Sequence, residues 1–414
     1  MTLAGLDNGS ARARTSLDHM FRPKVIAVVG ASRDPAKWGR RVLEYTGRGG
    51  FGGALYGVNP SVADLNVPGV RTVPALSDID QPIDLAVLAR PASATAELLE
   101  ECAASGVRSV LITAAGFGEL GGEHLASEQR MVARAREAGI RLLGPNTFGM
   151  FVADSRVNLT PREHIPRGSV AMLSQSGNVV VGMYEQARQA GIGFSACVGV
   201  GNQVDVGLGE LLTYFASDPG SDAAAVYVEG LRGSGAEFRA GLAACRAAGK
   251  PVVVLKAGRS RHAASAVATH TGALASDERV WHAVLADAGA IQVGSTRDLV
   301  DTLAVACSVG RHGGRAMVIT DGGGDSVMAI DWLTASGLSM ATLSAKTRAA
   351  LDDLIPAAAP RAEGRNPVTL DTAGGVEDDP MLLARCARLA AEDDGVDVIV
   401  AGGLFGGYPK VLDG

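Results

Sequence analysis

An α/β fold of doubly wound sheets is predicted by three features of the 414-residue chain. Short Val/Ile-rich runs end in Gly or a small polar residue and give way to amphipathic stretches, the alternation that builds parallel sheets flanked by helices. Glycine is abundant, with 54 residues, and aromatic residues make up only 4%, so packing rests on Val, Ala and Leu and on many tight strand-to-helix turns. The length allows two or three domains of about 150 residues, each able to bury its own core.

The first strands are KVIAVVG (24–30), ALYGVNP (54–60), DLAVLARP (84–91), SVLITAAG (109–116) and IRLLGPN (140–146). Together they specify one Rossmann-like domain over residues 17–150, after a polar tail at 1–16. A second sheet, over 151–308, is read from SVAMLSQSG, FSACVGVGN, AAAVYVEG, PVVVLKAG and AIQVGS. VGRHGGR (309–315) reads as a linker, and RAMVITDGGG and VDVIVAGG mark a third domain over 309–414. That last unit is short of strands, which leaves it small, completed by a partner, or cut off.

The net charge of −6 argues against a general nucleic-acid or anionic-membrane binder, while a local basic patch can still hold one phosphorylated ligand. Five scattered cysteines (Cys102, Cys197, Cys245, Cys307, Cys386) with no CxxC pair disfavour a disulfide framework and a zinc site, and read as buried, reduced thiols. No other metal-ligand set is read. The first 21 residues lack an apolar stretch, and no run approaches the length of a bilayer span, so a soluble, cytoplasmic protein is expected.

Gly30 ends the first strand, and Lys37, Arg40 and Arg41 follow on the next helix, so backbone N–H groups and the helix dipole can meet an anion there. The bland alternative is a structural turn with solvated basic residues. The nicotinamide fingerprint GxGxxG is missing, and the second strand ends in Val58-Asn59-Pro60 where a ribose-binding Asp or Glu would stand. Asp321-Gly322-Gly323-Gly324-Asp325 lacks the GK[ST] of a P-loop, and Ser174-Gln175-Ser176-Gly177-Asn178 lacks the leading glycine of a nucleophile elbow. The latter turn is read either as an oxyanion or phosphate site or as simple helix capping.

An apolar strand delivers Glu229 at its C-terminal end, the edge at which open α/β sheets bind ligands. A carboxylate there can accept Nδ1–H of an imidazole and leave Nε2 as a nucleophile, or it can be an ordinary solvated strand end. His270, within Thr269-His270-Thr271-Gly272, lies on a predicted loop over the strand ends, where functional residues concentrate. His262 and His282 read as surface or packing residues.

Taken in order, a larger set of stretches resembles the NDP-forming acyl-CoA synthetases and, more distantly, the succinyl-CoA synthetase α subunit. The set is Phe21-Arg22-Pro23 with VIAVVGAS, Val58-Asn59-Pro60, Gly144-Pro145-Asn146, SQSGN (174–178), Gly201-Asn202-Gln203-Val204-Asp205, Tyr227-Val228-Glu229-Gly230, Lys256-Ala257-Gly258-Arg259 and Thr269-His270-Thr271-Gly272. The resemblance implies a Rossmann-like CoA-binding domain followed by two flavodoxin-like ligase domains. It implies that Gly30, Ala31, Ser32, Lys37, Arg40, Asn59, Pro60, Arg90 and Pro91 hold coenzyme A. Asn146, Ser174, Gln175, Ser176, Gly177, Thr271 and Gly272 would hold phosphate or substrate. His270 would be transiently phosphorylated, with Glu229 as its acid partner, while acyl-CoA and phosphate exchange with carboxylate and CoA through an acyl phosphate. Mg-ADP or Mg-ATP would be supplied by an ATP-grasp β subunit; a non-catalytic acyl-CoA sensor is the alternative. Two positions depart from the family pattern: Thr147 follows GPN where Cys is frequent, and Thr369 replaces Asp in NPVDL.

Overall fold

Strand β1 (Val25–Val29) is apolar and buried at every position, as a central parallel strand requires. It pairs in parallel with β2 (Ala54–Val58) on one side and β4 (Leu85–Leu88) on the other. β3 (Val70–Val73), β5 (Ser109–Ile112) and β6 (Arg141–Leu143) complete the order β3-β2-β1-β4-β5-β6, the doubly wound arrangement. Helices α1 (Trp38–Arg48), α2 (Thr95–Ala104) and α3 (Gly122–Glu137) fill its crossovers. This computed structural model describes residues 17–260, 262–263, 267, 277–309, 313–355, 362–370 and 381–403.

A second sheet runs β13-β12-β11-β9-β10-β7-β8. Its parallel part is β9 (Arg167–Ser174), β10 (Phe194–Gly199), β11 (Ala223–Val228), β12 (Val252–Lys256) and β13 (Ile291–Val293). Counted along the chain, those five strands have the flavodoxin-like order 2-1-3-4-5. The antiparallel hairpin of β7 (Met150–Val152) and β8 (Val157–Asn158) adds to the β10 edge. The sequence pattern did not signal it, because two- and three-residue strands are too short to show a period.

Helices α4 (Gly177–Gln189), α5 (Leu208–Ala216), α6 (Gly235–Ala247), α7 (Glu278–Ala288) and α8 (Thr296–Val309) accompany this sheet. Helix α5 buries Leu208, Leu211, Leu212, Tyr214 and Phe215, and one continuous core joins it to Ile26, Val28 and Leu85 of the first sheet and to Leu173, Val198 and Val226 of the second. Residues up to Ser308 accordingly form one compact unit. Cys102, Cys197, Cys245 and Cys386 are buried, and burial pushes the Cys102 thiol up to about 12. Cys307 is exposed, contrary to expectation: it lies in the last turn of α8, one turn beyond buried Leu303.

The unit from Val309 onward is built around β14 (Arg315–Thr320), which pairs in parallel with β15 (Ser339–Met340), β16 (Val368–Thr369) and β17 (Val398–Gly402). Helices α9 (Gly323–Ala335), α10 (Ala345–Leu354) and α11 (Leu382–Ala391) complete it among the described residues. Thr369, at the family-variant position, is buried and shares a 3.0 Å hydrogen bond with the Ser326 hydroxyl. Among the described residues no helix is long and apolar enough to cross a membrane, and no group of three or more His, Cys, Asp or Glu is placed to hold a metal ion.

Candidate functional site

At the C-terminal edge of the first sheet lies a cavity of about 550 Å³, where strand order reverses around β1. Gly30 after β1, Asn59 and Pro60 after β2, and Arg90 after β4 line it, with Glu97 and Glu101 of α2 opposite. Gly30 has φ +89, and a Cβ there would stand 2.6 Å from the Ala89 carbonyl, so only glycine lets the turn close onto the neighbouring strand. Asn59 Nδ2 donates to the Ala31 carbonyl at 2.6 Å and ties the first two turns together.

The other predicted coenzyme residues do not line this cavity. Ala31 is buried, Ser32 accepts the Asp34 N–H within its own turn at 3.1 Å, and Pro91 is exposed after β4. The Arg40 guanidinium donates to Glu44 and to the Leu65 and Asn66 carbonyls, which fastens α1 to the loop after β2. Lys37 is the exposed N-cap of α1, whose first turn holds no acidic residue.

The second group of predicted residues gathers at the C-terminal edge of the second sheet. Ser174 ends β9, and its buried hydroxyl donates to the Ser176 carbonyl at 2.8 Å and accepts the Ser176 N–H at 3.1 Å, so it shapes the turn. Ser176 is the N-cap of α4 but makes no side-chain capping bond, and no acidic residue occupies the first turn. The Ser176 side chain therefore does not cap the helix that begins at Gly177. A Cβ at Gly177 would sit 2.5 Å from the Phe148 Cβ, which explains the small residue there.

Glu229 follows β11 directly and is 9% exposed. Gln175 Oε1 accepts both the Glu229 and Gly230 N–H groups, at 2.5 and 3.0 Å, so the turn before α4 fixes the backbone that carries the carboxylate. The Tyr227 hydroxyl donates to Glu229 Oε1 at 3.2 Å, and burial together with that carboxylate pushes the phenol pKa up. Buried Lys256 donates its ammonium to the Glu229 carbonyl at 2.9 Å and to that of Ala257, and stands over the Trp281 ring. Burial lowers its pKa, against the opposing pull of Glu278 and Glu229.

Asn146, with φ +59, reaches this edge from the first sheet, and its Nδ2 lies 3.5 Å from Asn202 Oδ1. Thr147, the family-variant residue beside it, donates to the Gly199 carbonyl at 2.6 Å and is buried. The structure thus brings together Asn146, Ser174, Gln175, Ser176, Gly177 and Glu229. His270, Thr271 and Gly272 lie outside the described residues. Sequence reasoning gave no site role to Tyr227, Lys256, Glu119, Glu128, Asn202 or Arg232, which surround the same edge. Tyr227, Lys256 and Asn202 stood within quoted motifs; Glu119, Glu128 and Arg232 carried no signal as site residues.

Comparison with known proteins gives the family. A CoA binding domain model matches residues 24–153, and a succinyl-CoA ligase-like flavodoxin domain model matches residues 167–306. The chain is 33% identical, over 93% of its length and 82% of the relative's, to the α subunit of ADP-forming acetate–CoA ligase II from Pyrococcus furiosus. It is 31% identical to a 4-hydroxybutyrate–CoA ligase (ADP-forming) from Nitrosopumilus maritimus, of which it spans half. Among solved structures, a Ca. Korarchaeum cryptofilum acetyl-coenzyme A synthetase in complex with phosphate and ADP aligns with a TM-score of 0.85 and 30% identity, over 94% of this chain and 82% of that one. The chain belongs to the NDP-forming acyl-CoA synthetases, as an α-type ligase chain with a CoA-binding domain.

Proposed function

We propose that this chain carries the acyl-transfer and phosphoryl-acceptor chemistry of a cytoplasmic acid–thiol ligase. The observation that carries the reading is the meeting of buried Glu229 with the uncapped N-terminus of α4, joined through Gln175 on one sheet edge. CoA occupies the cavity beside Gly30, Asn59 and Arg90, and Lys37 offers a charge to its phosphates. A phosphate oxygen attacks the acyl-CoA carbonyl, the C–S bond breaks, and CoA leaves as the thiol while an acyl phosphate forms. Asn146 and the α4 N–H groups hold the phosphoryl oxygens during this step.

The Nε2 of His270 then attacks phosphorus, the bond to the acyl oxygen breaks, and the carboxylate departs. Glu229 accepts Nδ1–H, selects the tautomer and stabilises the charged phosphohistidine. A separate ATP-grasp chain, holding Mg-ADP, takes the phosphoryl group and yields ATP; the reverse direction activates the acid. Incubation with acetyl phosphate, followed by intact mass spectrometry, tests the acceptor. Wild type gains one acid-labile phosphate and His270→Ala gains none; equal labelling of the two removes His270 from the mechanism.

A further inference from the structure

We infer that Glu119, Glu128, Asn202 and Arg232 form a positioning cluster that holds Asn146 and the Glu229 loop in register with each other. The inference rests on the function proposed above and adds residues to it. Glu128 lies within α3 yet is 3% exposed, an unusual place for a carboxylate, and each of its oxygens is occupied. Oε1 pairs with Arg232 Nη1 at 2.9 Å, while Oε2 accepts the Gly118 N–H at 3.0 Å and an Asn202 Nδ2 N–H at 2.9 Å. Glu119 Oε2 accepts from the same Asn202 Nδ2 at 2.6 Å, and its Oε1 accepts the Gly116 N–H at 2.6 Å.

One amide nitrogen therefore serves two carboxylates, with one N–H directed to each. This fixes the orientation of the Asn202 side chain, because a flipped amide would set its oxygen against two negative charges. With Nδ2 committed, Oδ1 faces Asn146 Nδ2 at 3.5 Å and sets the direction of that candidate phosphate ligand. Arg232 stands three residues beyond Glu229 and also donates to the Asn202 carbonyl at 3.3 Å, so the loop leaving β11 is pinned to α3 of the first sheet. Gln203 Nε2, donating to the Gly230 carbonyl at 3.1 Å, pins the same loop from its other side. None of the four residues lines the CoA cavity.

The test is single-turnover phosphorylation of the full chain by acetyl-CoA plus inorganic phosphate, with CoA affinity measured alongside by calorimetry. Asn202→Ala and Arg232→Ala are expected to slow phosphorylation about 10- to 100-fold while CoA affinity stays within about twofold, since misplacement of reacting groups by an ångström costs on that order. Arg232→Lys keeps the charge near Glu128 and restores most of the rate, which also separates the effect from misfolding should Asn202→Ala prove insoluble. A lower melting temperature with an unchanged phosphorylation rate, or a parallel loss of CoA affinity, overturns the positioning role. A wild type that is itself never phosphorylated overturns the proposed function first, whereas active wild type with equally active variants overturns the cluster alone.

Discussion

Glu229 and Gly30 are the single residues on which the proposed chemistry rests most directly. Glu229→Gln keeps the shape and removes the charge, so its phosphorylation by acetyl phosphate is expected to slow about 100-fold, read by time-resolved intact mass. An unchanged rate would make Glu229 a structural carboxylate. Gly30→Ala must place a Cβ 2.6 Å from the Ala89 carbonyl at φ +89, and is expected to lose about 1 to 3 kcal/mol of stability in chemical denaturation along with CoA affinity. Both positions were legible in the sequence, because a buried strand that ends in Gly or Glu delivers that residue to the ligand edge by alternation and length alone. Asn202 was legible only as part of a motif. Its bonds to Glu119 and Glu128 span 83 and 74 residues, and no local period records such partners. At Arg40 the charge was visible in the sequence, but not the carbonyls of residues 65 and 66 that engage it.

Helix and strand termini carry the next level of control. At α10, Ser344 is the N-cap and accepts the Thr347 N–H, while Asp393, from beyond α11, accepts the Ser344 and Gly395 N–H groups at 2.8 Å each. Hydrogen bonding from the Thr347 hydroxyl, aided by these N–H groups and opposed by burial, holds the Asp393 carboxyl down to about 2 against an ordinary 3.8. A depressed folded-state value stabilises the fold at pH above the ordinary value, and that stabilisation is lost as pH falls through the folded one. Asp393→Asn is therefore expected to be about 1 to 3 kcal/mol less stable near pH 6, and to converge with wild type as the pH approaches 2. Thermal melts across that range check it; a difference independent of pH would contradict the assignment. Strands β1, β2, β4, β5, β6, β9 to β14 and β17 were readable as apolar runs, whereas β3, β7, β8, β15 and β16 span only two to four residues, were not read, and are defined by their neighbours.

At the scale of the molecule, the two sheets of the larger unit are joined because they share α5 and one core cluster between them. The polar complement of that core is Arg141 at the start of β6, which donates to Asp205 at 2.9 Å and Glu210 at 2.6 Å. Burial disfavours its charge, but the hydrogen bonds it donates to Glu210 and Asp205 outweigh this and raise the guanidinium pKa. Arg141→Met leaves two half-buried carboxylates without their cation, and a loss of about 2 to 4 kcal/mol in urea unfolding is expected. The shared core was not legible from strand patterns, since buried apolar faces do not state which sheet covers them. Its consequence is that the cavity beside Gly30 and the Glu229 edge belong to one compact unit. The most direct measurement of the central claim mixes the chain with stoichiometric acetyl-CoA and inorganic phosphate, and counts both free CoA thiol and acid-labile phosphate on His270. One thiol released for each phosphohistidine formed, with His270→Ala forming none, is the predicted result. Phosphohistidine without thiol release, or CoA binding with neither product, would contradict it.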